Sequence, residues 1–232
     1  MKEYIVNTKR KPCAVKFNIT TDGTQVPIYI IGYDPITPNT FYFKSRFLIT
    51  GQEEVTMNCP QSPINLKIVI WSHKDIPYQI ASIKLLPFNR TEPDDPNVTF
   101  IEKFARYAGI LRPGLFRHKK ALFDIDFRRN IYKDDGSVHK TPARIHVEDP
   151  IIQVSQAKFN EMSIPERIII LLHEFSHNFI NYDQDDEVEA DQHGVNIYNE
   201  LGYPKIEAIN AFGDIMADTD DNYERMTNLV RI

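Results

Sequence analysis

The chain has 232 residues, 42% apolar and 11% aromatic, and its 27 Lys and Arg against 32 Asp and Glu leave a formal charge of −5. That balance excludes low-complexity disorder, and the length suits one large or two small domains. The longest apolar stretch, Ile168-Ile169-Ile170-Leu171-Leu172, stops at His173 and Glu174, well short of the ~20 residues a membrane span needs.

The opening residues carry neither the ~7–15-residue apolar run nor the cleavage site of a secretory leader, so a cytoplasmic location is expected. Cys13 and Cys59 are too few for a disulfide framework and are expected to be reduced and structural. From residue 13 to about 86 the pattern is that of strands. Cys13, Val15, Phe17 and Ile19 alternate, as do Ile64, Leu66, Ile68 and Ile70. Residues 26–31, 40–43 and 47–50 are β-branched and aromatic, with turn signals at Thr21-Asp22-Gly23, Gly32 and Asp34-Pro35. This reads as a β-sandwich-like domain over residues 1–90, followed by a polar, proline-rich linker over 87–97. The domain carries no chemical motif, which by elimination makes it a binding or anchoring module for a protein partner.

After the linker, residues 98–111 have helical spacing and 122–131 read as a strand, with a hairpin turn at Asp135-Gly136. The basic run Arg112, Arg117, His118, Lys119, Lys120, Arg128, Arg129 and Lys133 reads as a solvated face, and Phe116, Phe123 and Phe127 as core, so no nucleic-acid binding is expected. A strand over 143–148 follows, with Ile145 and Val147 facing the core. Next comes Ser163-Ile164-Pro165-Glu166, a capping box with proline just inside a helix that runs to about 180. Further helices are expected over 186–201, stopped by Gly202-Tyr203-Pro204, and from Lys205 and Asp221. The whole is α+β: an all-β domain, then a mainly helical domain with a small sheet over 98–232.

The capped helix contains His173-Glu174-Phe175-Ser176-His177. Histidines four apart share one helix face and can aim both imidazoles at one ion, the arrangement of zinc peptidases. Burying such a pair beside a carboxylate is unfavourable unless something neutralises it, and a bound Zn2+ does so. A catalytic zinc wants three protein ligands, so a third must come from elsewhere. On the next helix Glu187 and Asp191 lie four apart, with Ala190 and Gly194 small enough for close helix approach. Glu187 is read as the third ligand and Asp191 as the acceptor that fixes one histidine tautomer. Asp183, Asp185 and Asp186 fit a solvated helix start. Glu174 is the expected general base, standing beside the ion without ligating it. Tyr182, His193, Tyr198, Tyr203 and Arg225 are unranked candidates for stabilising an oxyanion.

On these residues the chain resembles the gluzincin metallopeptidases, in which His-Glu-x-x-His is followed on the next helix by Glu-x-x-Ala-Asp or Glu-x-x-x-Asp. The stretch from Glu187 through Gly194 is similar to the HtpX-like branch, as is the Arg225-containing segment Asn222-Tyr223-Glu224-Arg225-Met226. The resemblance implies a zincin-like domain that hydrolyses peptide bonds, with an extended polypeptide substrate held along strand 143–148 by edge pairing. Two features depart from that branch: it is usually membrane-embedded, and the segment joining the motifs, residues 178–186, is much shorter here. The short joint leaves Glu187 and His193 as rival third ligands, because His193-Gly194 is similar to the ligand pair of SprT-like peptidases. The chain is also similar to uncharacterised proteins of tailed phages, which implies a virion role, and the rival function is a structural or adaptor component using the same domain as a scaffold.

Overall fold

A computed structural model describes residues 1–72, 76–90, 92–145, 150–215 and 220–231. The chain divides into two compact units, Met1–Thr91 with Gly202–Pro204, and Glu92–Leu201 with Lys205–Ile232. The architecture is mixed α+β, as the sequence leads one to expect.

The first unit is one antiparallel sheet of β1 (Lys2–Asn7), β2 (Cys13–Tyr33), β3 (Phe41–Cys59), β4 (Asn65–Trp71) and β5 (Tyr78–Pro87). β2 pairs with β3 from Cys13 to Thr20 and again from Gln25 to Tyr33. Its other edge pairs with β5 over Cys13 to Thr21 and with β4 over Tyr29 to Tyr33. The alternation is realised: Val15, Phe17 and Ile19, then Val26, Ile28 and Ile30, are fully buried. Thr21-Asp22-Gly23 does not reverse the chain as its turn chemistry suggests. Pairing resumes beyond it, from Thr20 opposite Gln52 to Gln25 opposite Thr50, so the segment is a bulge in one long strand. Gly23 (φ +99°) and Gly51 (φ +67°) supply the left-handed backbone on its two sides. There β2 exchanges β5 for β4. β1 goes unread in the sequence because it is an edge strand with only Tyr4 and Val6 on its half-buried apolar side. In the sequence His73 reads most simply as a surface histidine beside Trp71, and it lies outside the described residues.

The second unit opens with α1 (Pro96–Tyr107), capped by Asp95. A four-stranded sheet follows in the order β6 (Gly114–Phe116), β7 (Asp124–Arg128), β9 (Ile151–Ser155), β8 (Ala143–Ile145), with β7 and β9 parallel and β8 an edge. The strand expected over 122–131 shrinks to β7. Of that expected over 143–148, the first three residues form β8 and the rest, Val147 included, lie outside the described residues. The Asp135-Gly136 turn is present, with Gly136 at φ +80° and Tyr132 bridged to Val138. Phe123 and Phe127 are core, and Arg117 and Arg128 of the basic run pair with Asp124 and Asp126. α2 (Gln156–Phe159), α3 (Ile164–Phe179), α4 (Glu187–Glu200), α5 (Lys205–Ile215) and α6 (Asp220–Arg231) complete the unit. Arg167 of α3, fully buried, ties three helices: Nε donates to the Phe159 carbonyl at 2.7 Å and Nη1 to that of Ala105 at 3.1 Å. Burial lowers its pKa to about 10, which leaves the guanidinium charged at neutral pH. No helix among the described residues is long and apolar enough to cross a membrane.

Candidate metal centre

α3 begins as its sequence demands. The Ser163 hydroxyl accepts from the Glu166 N–H while the Glu166 carboxylate accepts from the Ser163 N–H, and Pro165 fits the first turn. Ile168, Ile169, Leu171 and Leu172 are fully buried, which sinks this part of α3 into the interior, and the four-residue spacing places His173 and His177 there on one face. α4 starts at Asp186, whose carboxylate accepts from the Glu189 N–H at 2.9 Å. The two helices approach closely at Gly194, where a Cβ would stand 3.2 Å from the backbone nitrogen of His173. Any larger residue there would push on the strip of backbone that carries the histidine.

This packing brings His173, His177 and Glu187 into one cluster. The His177 Nδ1–H donates to the Gln184 carbonyl at 2.7 Å, and His173 Nδ1 lies 2.9 Å from Asp191 Oδ1. His177 Nδ1 is hydrogen-bonded and His173 Nδ1 stands in ion-pair contact with Asp191, and the two Nε2 atoms lie 3.1 Å apart. Glu187 Oε2 is 3.4 Å from His173 Nε2, and its Oε1 is 3.7 Å from His177 Nε2. Donors at ~2.0–2.1 Å from a tetrahedral zinc stand about 3.3 Å from one another. The donor set and its spacing therefore suit a divalent metal of that size.

Asp191, 2% exposed, is held in turn by Arg225 of α6, whose Nε and Nη2 donate at 2.8 and 3.0 Å. The same Nη2 reaches Glu187 Oε2 at 2.9 Å. Arg225 thus joins the two acidic residues rather than standing free as an oxyanion donor. Glu174 Oε2 accepts the Ile145 N–H at 2.8 Å, on the side of β8 turned away from β9. Ile145 is half-buried rather than a core residue. The rival third ligand is not in the cluster: His193 Nε2 pairs with Glu189 at 3.5 Å along its own helix. Glu189 meanwhile accepts the Tyr182 N–H and so closes the loop between the helices. Tyr182 is 99% exposed, and Tyr198 and Tyr203 are buried.

The charges are strongly coupled. Burial opposes the charged form of His173, but Asp191 and Glu187 outweigh it and raise its pKa to about 9. The partnership with His173, with Arg225 adding to it, lowers Glu187 to about 2 despite partial burial. Withdrawal from water raises Glu174, with the neighbouring imidazoles pulling the other way. Without a metal, the cluster therefore stores a proton on His173 up to about pH 9. A metal must displace it, so uptake at pH 7 is expected to release about one proton per site, and apparent affinity to rise with pH until about 9. Calorimetric titration in buffers of different ionisation enthalpy measures that proton directly.

The cluster opens into a cavity of ≈310 Å³ whose lining includes His139, Thr141, Arg144, Asn178 and Gln184. None of the five oxyanion candidates lines it. Sequence reasoning missed His139. Its Nδ1 accepts the Thr141 N–H at 3.1 Å, which leaves Nε2 as the protonated nitrogen. Burial, then Arg144 and Lys133, lower its pKa, so it is a neutral donor near pH 7. A histidine lying outside any motif, on a loop that leads into a short edge strand, gives no sequence signal.

Comparison with protein-family models, with curated proteins and with solved structures finds no match. The fold and the donor set define a coarser class: an α+β chain in which two helices carry a His, His, Glu group able to hold a metal ion.

Proposed function

We propose that this chain is a zinc-dependent endopeptidase, with His173, His177 and Glu187 as ligands and Glu174 as general base. One observation carries the reading. A single helix presents two inward Nε2 atoms, the next helix supplies a carboxylate to the same point, and a second carboxylate, Glu174, is held beside them by a backbone N–H. A scaffold needs no such second carboxylate.

Bound zinc supplies Lewis acidity, polarising a carbonyl and bringing the pKa of a water to about 7. Glu174 takes the water proton and passes it to the departing amine, which its raised affinity for protons suits. The Ile145 N–H fixes which carboxylate oxygen is engaged and leaves the other for that transfer. Asp191 and the Gln184 carbonyl hold the imidazoles in the orientation that ligation needs. β8 is an edge strand among the described residues, and an extended polypeptide would lie along it, recognised through backbone more than side chains, with the Ile145 N–H already committed to Glu174. The N-terminal sheet, which carries none of the residues named above, serves to bind a protein partner. On this reading the chain works in the cytoplasm, or in a virion if it is phage-encoded, as its resemblance to tailed-phage proteins implies.

The test is cleavage of an unfolded protein such as casein, with products read by mass spectrometry. Cleavage should stop on chelation and return when zinc is restored. A pure, zinc-loaded preparation that cleaves nothing, yet assembles with a partner, would favour the adaptor role.

A further inference from the structure

The strand register places Cys13, the first residue of β2, directly opposite Cys59, the last residue of β3. Facing residues of antiparallel strands stand about 4.5 or 5.5 Å apart at Cα, and both distances fall inside the ~4.4–6.8 Å that a disulfide bridges. Both cysteines are buried and neither is in a disulfide. The mechanism above uses neither. Burial alone would make them inert, and Cys59, fully buried, has no route to solvent of its own. Cys13 differs, because it lies in the wall of a cavity of ≈890 Å³ between the turn after β1 and the end of β5, which also presents Lys9, Lys11 and Arg90. A small oxidant can reach it there, and cationic neighbours favour a thiolate.

We propose that Cys13 and Cys59 are a peroxide-responsive thiol pair that closes to a disulfide and staples β2 to β3. Cys13 lines the cavity and Cys59 does not, while the Cys59 thiol donates to the Gln61 carbonyl at 2.9 Å, which marks Cys13 as the attacking sulfur; the lowered pKa of Cys13, with Cys59 as its largest cause, agrees. The oxidant is a hydroperoxide, with hydrogen peroxide the simplest. The Cys13 thiolate attacks one peroxide oxygen, the O–O bond breaks, and hydroxide leaves with the thiol's proton as water, giving a sulfenic acid. The Cys59 sulfur then attacks the Cys13 sulfur, the S–O bond breaks, and the second oxygen leaves as water with the Cys59 proton. Two thiols are oxidised, one peroxide is reduced and two waters form. The resting state is reduced, and the bridge closes the long loop between residues 13 and 59, so oxidation stiffens the N-terminal sheet. The proposal is independent of the metal centre.

The full chain is treated with a few equivalents of hydrogen peroxide, quenched by alkylation and mapped by mass spectrometry without reduction. The expected result is a loss of about 2 Da, a peptide pair joined through Cys13 and Cys59, a Tm rise on the order of 10 °C and reversal by dithiothreitol. In a C59S variant, dimedone should trap a sulfenic acid on Cys13, and a C13S variant should trap none on Cys59. Two alkylatable thiols surviving in the folded wild type under peroxide that oxidises the unfolded chain, or bridges found only between separate molecules, would overturn the proposal. The wild-type map decides even if a variant fails to fold.

Discussion

Glu174→Gln is expected to retain the wild-type metal content and melting profile while lowering peptide hydrolysis by on the order of 10²–10⁴-fold, the usual contribution of a positioned general base. The amide is nearly isosteric, and its oxygen can still accept the Ile145 N–H that the carboxylate accepts at 2.8 Å, so β8 stays in place. What disappears is the ability to take a proton and return it. Measuring kcat and KM on a quenched peptide separates the effect: the loss should fall on kcat with KM little changed. Activity that survives the substitution would remove Glu174 from the chemistry, and a lost metal would mean that it ligates instead.

Asp191→Ala should act through both stability and metal. Asp191 is 2% exposed and joins His173 to Arg225, whose side chain is itself only 16% exposed. Removing one partner of a buried ion pair leaves the other charge poorly compensated and costs about 3 kcal/mol or more. The His173 ring also loses the acceptor that orients it, and outer partners of this kind are worth about 10–100-fold in metal affinity. Urea unfolding of the metal-free protein reads the first effect, and competition with a chelating dye the second. In Arg225→Met the carboxylate at position 191 remains, so the orientation of His173 should suffer less than in Asp191→Ala. Equal metal affinity in wild type and Asp191→Ala would deny Asp191 its orienting role.

The candidate site was legible to the extent that its logic is local. Four-residue spacing on a helix places His173 with His177, and Glu187 with Asp191, before any tertiary structure is known, and the capping box fixes where α3 begins. What holds these groups is not local. The Gln184 carbonyl that orients His177 is backbone and has no sequence signature. Arg225 reaches Asp191 from 34 residues away, so sequence could mark it as a useful cation but not say that it would be committed to the two carboxylates. The choice of Glu187 over His193 turns on rotation about α4, which the acidic turn at Asp186 and the contact at Gly194 set together.

The same contrast holds for the fold. Long alternating runs made β2 and β3 visible, yet the strength of Thr21-Asp22-Gly23 as a turn signal hid the continuity of β2, because pairing on both sides of a bulge is a long-range property. β9 is central in its sheet but only five residues long, wedged between Pro150 and the Ser155 cap of α2, so its pattern is too short to read. β6 and β8, three residues each, are defined by their partners alone.

The central claim is that His173, His177 and Glu187 hold one metal ion, and elemental mass spectrometry of the protein purified without chelators tests it most directly, beside a Glu187→Ala variant. Near-stoichiometric zinc in the wild type, lost or much reduced in the variant, is the predicted result. No metal in the wild type even after zinc is added back, or the same content in the variant, would contradict it.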